Sequence, residues 1–384
     1  MTMASSIDLK ILRKENLGRS ICLIVGTRPG IIMFSPLFRA CVSKGLDFFT
    51  IHTGQHYSYN MDRVIFDTLD LPLPRHHLQG IAEKKYHGAQ TAAMLEGVER
   101  VLLEERPSLV LVGGDANTNL AGALAARKLH IDVGHIEAGE RSYDWRMPEE
   151  HNRRMIDHIS NLLFATNEKG ATRLKEEQVM GKVFVTGNTI VDAAYQNFEI
   201  AKRRSKILEV NGLEEKRYCV LTCHREENTD FVENLTGVLE GVGKFALDSG
   251  LPVYFAAHPR TMKRMESFGL LEKVKNFQGI LLREAPGYTD FLRLLSSAAL
   301  VFTDSGGVQQ EACIFKVPCV TLRENTEWTE TLDIGANHLV GTEPRRILAG
   351  AAACLEKPGT WDVPFGDGRA AERILDMCQE SISG

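Results

Sequence analysis

Short apolar runs rich in β-branched residues alternate with longer segments of helical periodicity along most of the chain. In the first half, these runs cover residues 21–25, 48–51, 109–112, 133–136, 162–165 and 183–185. The pattern then starts again with residues 218–222, 253–257, 280–282, 300–303 and 319–322. Strands that alternate with helices form βαβ units, in which the strands are parallel and helices cover both faces of the sheet. The sequence therefore predicts an α/β fold with two doubly wound, Rossmann-like domains in tandem.

The length of the chain supports two domains. With 384 residues it exceeds the size at which a single hydrophobic core usually stops growing. We predict an N-terminal domain over residues 1–188 and a second domain over residues 189–367. Residues 368–384 are predicted to form a C-terminal helix that packs back toward the N-terminal domain.

Composition excludes several classes of function. The net charge is −5, whereas a nucleic-acid-binding domain usually carries an excess of basic residues. The chain contains no apolar run of about 18 residues, and its first twenty residues are too polar for a secretory signal. We therefore expect a cytoplasmic protein that binds neither nucleic acid nor membrane. The eight cysteines form no CxxC pair, which favours free thiols over disulfides or a zinc site.

Polar side chains follow most of the predicted strands, at the edge where open parallel sheets bind their ligands. In the first half these residues are Arg28, Gln55, His56, Asp115 and Glu137. In the second half they are His224, Arg225, His258, Arg260 and the turn at residues 304–307. Acids thus dominate the first half, whereas histidine, arginine and glycine dominate the second.

The segment at residues 303–311, TDSGGVQQE, places small residues between a strand and a helix. Backbone N–H groups at such a helix start, together with the positive end of the helix dipole, bind anions. Ser305, Gly306 and Gly307 are therefore predicted to hold a phosphate, although alone they also fit an ordinary tight turn. Glu311, on the following helix, is either a carboxylate that accepts two ribose hydroxyls or a solvated helix residue.

Asp115, Glu137 and Glu149 offer three carboxylates from loops at one predicted sheet edge. Acids placed close together raise one another's pKa, which suits the removal and return of a proton. Each of them alone is more often structural, and Glu149 also has the spacing for a surface ion pair with Arg153. His224 is a candidate proton or hydrogen-bond donor to a departing diphosphate, or else an ordinary core or surface histidine.

The sequence lacks the motifs of two common cofactors. It has no helix-borne HExxH motif for zinc, and no GxGxxG turn follows its first strand. We therefore expect neither a metal ion nor NAD.

Nine motifs occur in the same order as in a known family. They are residues 26–29 (GTRP), 52–56 (HTGQH), 114–115 (GD), 135–139 (HIEAG), 148–153 (PEEHNR), 224–228 (HREEN), 258–261 (HPRT), 303–311 and 323–327 (RENTE). Through them the chain resembles the non-hydrolysing UDP-N-acetylglucosamine 2-epimerases from residue 26 to residue 341. The resemblance implies a GT-B-like pair of Rossmann-like domains facing a central cleft, a UDP-sugar substrate, no cofactor and a homodimer.

The same resemblance implies a mechanism and the residues that carry it. A base removes the C2 proton as UDP leaves in the anti sense, a 2-acetamidoglucal stays bound, and UDP returns while C2 is protonated on its opposite face. Asp115, Glu137 and Glu149 are the implied acid–base groups, and His224 is the group nearest the leaving diphosphate. The implied substrate-binding residues are Arg28, Arg153, Ser305 and Gly306 for the phosphates, Glu311 for the ribose, Phe291 for the uracil, and Gln55, His56, His258, Gly307 and Arg323.

Five departures from the family pattern lie beside these motifs. They are Gly30 for an acidic residue, Met33 for a basic residue, Ala116 for threonine, Glu140 for an apolar residue, and Trp328-Thr329 for Arg-Pro. Because Met33 supplies no positive charge near the diphosphate, we hypothesise an enzyme that is slow on UDP-N-acetylglucosamine and faster on a modified UDP-2-acetamido sugar. A hydrolysing 2-epimerase, a retaining glycosyltransferase of the same architecture and a non-catalytic UDP-sugar binder are the open alternatives.

Overall fold

The structure is a computed structural model, and it describes residues 18–55, 59–356 and 359–383. Contacts within the chain divide it into two units. Unit 1 comprises the residues up to Ala193 together with those from Phe365 onward, and unit 2 comprises Ala194–Pro364. The division falls a few residues after the predicted boundary at residue 188.

Unit 1 is built around a parallel sheet of seven strands. Its elements are β1 (Ile21–Val25), α1 (Arg28–Lys44), β2 (Phe48–His52), α2 (Tyr59–Thr68), β3 (His76–His77), α3 (His87–Glu105), β4 (Leu109–Gly113), α4 (Asn117–Lys128), β5 (Asp132–Ala138), α5 (Pro148–Ile159), β6 (Leu162–Ala165), α6 (Glu168–Glu176), β7 (Lys182–Val185) and the first residues of α7 (Thr189–Arg204). The strand order is β3-β2-β1-β4-β5-β6-β7. This is the doubly wound order of Rossmann-like folds, with one further strand.

Unit 2 contains a second parallel sheet, of six strands, in the order β10-β9-β8-β11-β12-β13. After α7 its elements are α8 (Ile207–Asn211), β8 (Cys219–Thr222), α9 (Glu226–Thr229), α10 (Val232–Ser249), β9 (Val253–Ala257), α11 (Pro259–Ser267), α12 (Leu271–Lys275), β10 (Ile280–Glu284), α13 (Tyr288–Ser297), β11 (Leu300–Thr303), α14 (Gly306–Ile314), β12 (Cys319–Thr321), α15 (Thr329–Asp333), β13 (Asn337–Leu339) and α16 (Pro344–Glu356). The predicted fold class is thereby confirmed in both units.

The central strands are apolar because helices cover both faces of each sheet. Every residue of β1, β4 and β9 is buried, which is why these strands read as uninterrupted apolar runs rather than as alternating patterns. After these three strands, polar residues follow at Thr27, Asp115 and His258. The carboxyl ends of the strands are thus the place in each unit where polar side chains collect.

The C-terminal helix, α17 (Ala370–Ser383), packs against α1 in unit 1. The carboxylate of Asp192 accepts hydrogen bonds from the backbone N–H groups of Ala370 (3.2 Å) and Ala371 (2.9 Å). These first-turn N–H groups have no partner within their own helix. An ion pair between Lys44 and Asp376 adds a second contact between α1 and α17.

Candidate active site

Glu137 lies inside strand β5, at an irregularity in the pairing of β5 with β6. The register shifts between Ile136 and Ala138, and Glu137 has a φ of 68°, which residues other than glycine rarely adopt. Such a bulge re-aims a side chain, and this backbone conformation costs on the order of 1–3 kcal/mol. The expectation that Glu137 follows the strand is wrong, because pairing resumes beyond it between Ala138 and Ala165.

The carboxyl group of Glu137 is surrounded by charged and polar groups. Burial, followed by the negative charges of Asp115 and Glu140, raises its pKa from 4.5 to about 8. The charge of Arg153 and a 3.4 Å hydrogen bond from Nδ2 of Asn188 act in the opposite direction. Glu137 therefore keeps its proton at neutral pH.

Arg153, on α5, is the positively charged residue beside Asp115 and Glu137. Its guanidinium forms an ion pair with Asp115 and donates to Oε2 of Glu150 over 3.2 Å. The side chain of Glu150 is fully buried and also accepts hydrogen bonds from the N–H of Ser142 (2.8 Å) and from Arg154 (2.9 Å). The alternative of a Glu149–Arg153 pair is wrong, because Arg153 is engaged by Asp115 and Glu150, and the described structure shows no ion pair that joins it to Glu149.

Glu149 is the second residue of α5, directly after Pro148, and is partly exposed. Glu149, Arg153 and Asp157 are spaced four residues apart and therefore share one face of the helix. Within the part of the chain that the structure describes, the Glu149 carboxylate has no ion-pair or hydrogen-bond partner. It is available to a ligand.

The remaining first-half candidates follow β1 and β2. Arg28 is the first residue of α1, is partly exposed, and its guanidinium forms no polar contact with the described residues. Gln55 is buried, and its side-chain oxygen accepts from the backbone N–H (2.9 Å) and the hydroxyl (2.8 Å) of Thr118. It therefore ties the end of β2 to α4. His56 lies outside the described residues.

Two departures from the family pattern lie at helix starts. Thr27 caps α1 by accepting from the N–H of Gly30 over 3.2 Å. A glutamate at position 30 would complete a capping box by bonding back to Thr27. Ala116 is the N-cap of α4 and makes no side-chain cap, which a threonine would supply. These two changes alter helix ends rather than reacting groups.

Two other departures from the family pattern, Met33 and Glu140, lie near the candidate acids Asp115 and Glu137. Met33 lies over the glycine turn before Asp115, because a Cβ built at Gly113 would be 3.1 Å from Sδ of Met33 and one at Gly114 would be 3.6 Å from its Cε. The carboxylate of Glu140 accepts a hydrogen bond from Thr166 and contributes to the raised pKa of Glu137.

In unit 2, helix α14 begins at Gly306, and its N-cap Ser305 makes no side-chain cap. A Cβ built at Gly306 would lie 2.0 Å from Oε1 of Glu327, whereas one at the exposed Gly307 would meet nothing within 4 Å. The space over Gly307 suits an oxyanion at the helix start. Glu311 is only 8% exposed, so the alternative of a solvated helix residue is wrong.

His224 follows β8 and pairs with Asp304, with 3.1 Å between its Nδ1 and Oδ1 of Asp304. Asp304 is fully buried and also accepts from the backbone N–H groups of His224 (2.9 Å) and Arg225 (2.9 Å). Burial alone would raise the pKa of Asp304, but the His224 contact and these N–H groups hold it below its usual value. The pair fixes the imidazole and leaves Nε2, on a side chain that is 41% exposed, for a ligand.

His258 lies beside His224, with 6.0 Å between the ring centroids. Its Nδ1 accepts from the N–H of Arg260 over 3.2 Å and so caps α11. Burial, followed by the charges of His224 and Arg260, lowers the pKa of His258. Its ring is therefore predominantly neutral at pH 7.

The two other candidates of unit 2 are packed or paired within the protein. Phe291, on α13, is partly buried against the core cluster that contains Tyr218 and Tyr254. Arg323 donates to Glu227 (3.3 Å), Asn325 (3.0 Å) and Glu327 (2.9 Å). These hydrogen bonds hold the loop at residues 323–327.

Reasoning from the sequence assigned no role to Asp304, Glu150 or Asn188, which orient or tune His224, Arg153 and Glu137. Asp304 directly follows a strand and starts the glycine turn, and this position was the available signal. Glu150 and Asn188 carried no such signal, because their importance comes from contacts that only the folded chain makes.

Other features of the described residues bear on the function. No group of three or more His, Cys, Asp or Glu side chains in this part of the chain is arranged to hold a metal ion. No helix among them is long and apolar enough to cross a membrane. All eight cysteines are free and buried, which confirms the prediction of free thiols.

Comparison with known proteins places the chain in a family. A family model described as UDP-N-acetylglucosamine 2-epimerase matches residues 40–379. The chain belongs to this family. The resemblance carried by the nine motifs is thereby confirmed.

Members of the 2-epimerase family resemble the chain over nearly its whole length. A UDP-N-acetylglucosamine 2-epimerase of Methanocaldococcus jannaschii is 46% identical over 92% of this chain and 97% of that protein. The structure of the M. jannaschii enzyme in complex with UDP-N-acetylglucosamine and UDP has a TM-score of 0.82, covering 94% of this chain and 99% of that one. A UDP-2,3-diacetamido-2,3-dideoxy-D-glucuronate 2-epimerase of Pseudomonas aeruginosa is 37% identical over 93% of this chain and 98% of that protein.

Proposed function

We propose that this protein is a non-hydrolysing sugar-nucleotide 2-epimerase that acts on UDP-N-acetylglucosamine or a modified UDP-2-acetamido sugar. The observation that carries the proposal is the contrast between two neighbouring acids. Asp115 forms an ion pair with Arg153, whereas burial raises the pKa of Glu137 to about 8, so that Glu137 is mainly protonated at pH 7. One cluster thus contains both a base and an acid, which epimerisation at a carbon requires.

The proposed reaction has two steps, an elimination of UDP and its re-addition. A carboxylate takes the proton from C2, the C1–O bond breaks with its electron pair going to the UDP oxygen, and a C1–C2 double bond forms. A protonated carboxyl then gives a proton to the other face of C2, while the UDP oxygen forms the C1–O bond again. No electrons are gained or lost overall, so the step needs no oxidant or reductant.

Each candidate residue has a proposed role in this reaction. Asp115, Glu137 and Glu149 of unit 1 transfer the proton. In unit 2, the start of α14 at Gly306 and Gly307 binds a phosphate, and His224, oriented by Asp304, donates to the diphosphate. Negative charge develops on the diphosphate as the C1–O bond breaks, and donors fixed beforehand stabilise it without reorganising.

A modified sugar is the second candidate substrate. Met33 supplies no charge near the turn before Asp115, and a relative 37% identical to this chain is named for a 2,3-diacetamido sugar. Assembly as a homodimer and a cytosolic location belong to the same proposal, and light scattering on the purified protein measures the first.

Incubation with UDP-N-acetylglucosamine in deuterated water, followed by NMR, tests the proposal. We expect deuterium at C2 and reversible formation of the C2 epimer, still linked to UDP. Release of free N-acetylmannosamine would instead assign a hydrolysing enzyme, and turnover only with an added acceptor would assign a glycosyltransferase. Binding of both this substrate and the 2,3-diacetamido sugar nucleotide without deuterium exchange at C2 would instead assign a non-catalytic UDP-sugar binder.

A further inference from the structure

His135 and Asp157 form a buried contact in unit 1, next to the segments that carry Asp115 and Glu137. Nδ1 of His135 lies 2.7 Å from Oδ1 of Asp157, and the two side chains are 1% and 0% exposed. Nε2 of the same ring lies 3.1 Å from the carbonyl oxygen of Gly114, the residue before Asp115. The imidazole therefore connects α5 to the turn that carries Asp115.

The second oxygen of Asp157 reaches the other catalytic segment. Oδ2 accepts from the backbone N–H of Gly139 over 3.2 Å, two residues after Glu137. It also pairs with Arg141 at 2.7 Å, and Arg141 in turn pairs with Glu177 at 2.7 Å. Burial alone would raise the pKa of Asp157, but His135 and Arg141 hold it below its usual value. The group is an ionised acceptor with partners on both oxygens.

One carboxylate thus ties together the two segments that bear Asp115 and Glu137. We propose that His135 and Asp157 are positioning residues that set the spacing between the Asp115 turn and the Glu137 bulge. This inference rests on the proposed function, because it matters to catalysis only if these two acids exchange protons with the substrate.

The backbone is irregular in both segments, so regular strand pairing does not by itself fix the distance between Asp115 and Glu137. Gly114 has a φ of 75° and Glu137 a φ of 68°, so neither segment follows regular strand geometry at the position that matters. A displacement of about 1 Å between a reacting carbon and a catalytic group costs on the order of a hundredfold in rate. Buried hydrogen bonds to both segments, from one rigid helix, limit that displacement.

Two substitutions of His135 separate its two contacts. Asn places an amide nitrogen near the Nδ1 position and keeps the contact with Asp157, but it loses the contact with Gly114. Gln reaches the Nε2 position and keeps a donor for the Gly114 carbonyl. His76→Asn is the control, since it removes another histidine–carboxylate contact, 2.6 Å from Nε2 of His76 to Glu105, on the edge strand β3 of the same sheet.

Steady-state kinetics on the folded fraction of each variant provide the first test. We expect His135→Asn and His135→Gln each to lower kcat by about thirtyfold to a hundredfold while KM stays within about threefold, because each variant breaks one end of the connection between Asp157 and the Asp115 turn. His76→Asn should keep the wild-type kcat. Wild-type kcat in either the Asn or the Gln variant, or a change in KM alone, would overturn the inference.

A crystal structure of His135→Asn provides a second readout that does not need turnover. We expect the Gly114 carbonyl and Asp115 to shift by on the order of 1 Å relative to Glu137. An unmoved turn overturns the positioning role even if the enzyme is active. Lack of epimerisation by the wild type, with the turn displaced in the variant, counts against the proposed function instead.

Discussion

Nδ2 of Asn188 donates a 3.4 Å hydrogen bond to Oε2 of Glu137. This contact favours the ionised carboxylate, but burial and the charges of Asp115 and Glu140 outweigh it and raise the pKa of Glu137 to about 8. We expect the pH profile of kcat/KM to show an ionisation near pH 8 that disappears in Glu137→Gln. Asn188→Ala should move it to higher pH, because it removes an interaction with the charged form. A profile identical in all three proteins would contradict this assignment.

The raised pKa also couples folding to pH. Glu137 titrates near 4.5 when unfolded and near 8 when folded, so between these values the folded state holds the extra proton. Stability therefore falls as pH rises through this window. Glu137→Gln does not titrate, and we expect its Tm relative to the wild type to increase from about pH 5 to about pH 8. Calorimetry across this range checks the sign, and a constant difference would argue against the raised pKa.

The main strands were predictable because a strand that is buried on both faces is an uninterrupted apolar run in the sequence. β1 and β4 are uninterrupted apolar runs of five residues. β3 and β13 were missed, since His76–His77 and Asn337–Leu339 are too short and too polar to form such a run. Only pairing with β2 and β12 makes them strands.

The candidate site was predictable in its residues but not in its geometry. Asp115 and His224 stand within three residues of the end of apolar runs, and their position alone pointed to a ligand-binding edge. Nothing in the sequence marks the bulge at Glu137, which depends on how β5 pairs with β6. The partners that orient His224 and His135 lie 80 and 22 residues away in the chain, so only the folded structure brings them together.

Glu149 offers a test of catalysis with little effect on folding. Its carboxylate has no partner among the described residues, so Glu149→Gln removes no contact of the folded protein there. We expect kcat to fall by roughly a hundredfold or more, with UDP affinity nearly unchanged, as for a general acid–base group. Glu168→Gln is the matched control, because Glu168 is an exposed first-turn glutamate of α6 in the same unit. Near-normal turnover in Glu149→Gln would remove this residue from the proton-transfer groups.

Alanine substitutions at Gly306 and Gly307, at the start of α14, distinguish an effect on folding from an effect on ligand binding. An added methyl group at Gly306 would collide with Glu327, whereas at Gly307 it would enter open space. We expect Gly306→Ala to lower the Tm, and Gly307→Ala to keep the Tm but weaken UDP binding by about tenfold, because the methyl group occupies the place of a phosphate oxygen. Scanning calorimetry measures the Tm of both variants, and calorimetric titration with UDP measures their affinity. Unchanged UDP affinity in Gly307→Ala would place the phosphate elsewhere.

Substitution of Met33 tests which of the two candidate substrates the protein prefers. It lies against Gly113 and Gly114, next to Asp115, where the family commonly has a basic residue. Lysine has a similar unbranched stem, so Met33→Lys keeps the packing and adds a charge. One charge-assisted contact to the diphosphate contributes about 1.5 to 3 kcal/mol, or about tenfold to a hundredfold in rate. We expect kcat/KM for UDP-N-acetylglucosamine to rise by about tenfold in Met33→Lys, and to stay unchanged in the control Met33→Leu.

The modified sugar completes this comparison, because an apolar wall at Met33 favours a different substituent from the one that a lysine favours. In the wild type we expect the 2,3-diacetamido sugar nucleotide to have the higher kcat/KM, and Met33→Lys to reduce that preference. Two results would contradict the hypothesis of a specialised enzyme. One is fast wild-type turnover of UDP-N-acetylglucosamine that the lysine leaves unchanged. The other is a fall with both substrates, which would show that the ammonium group engages Asp115 rather than the diphosphate.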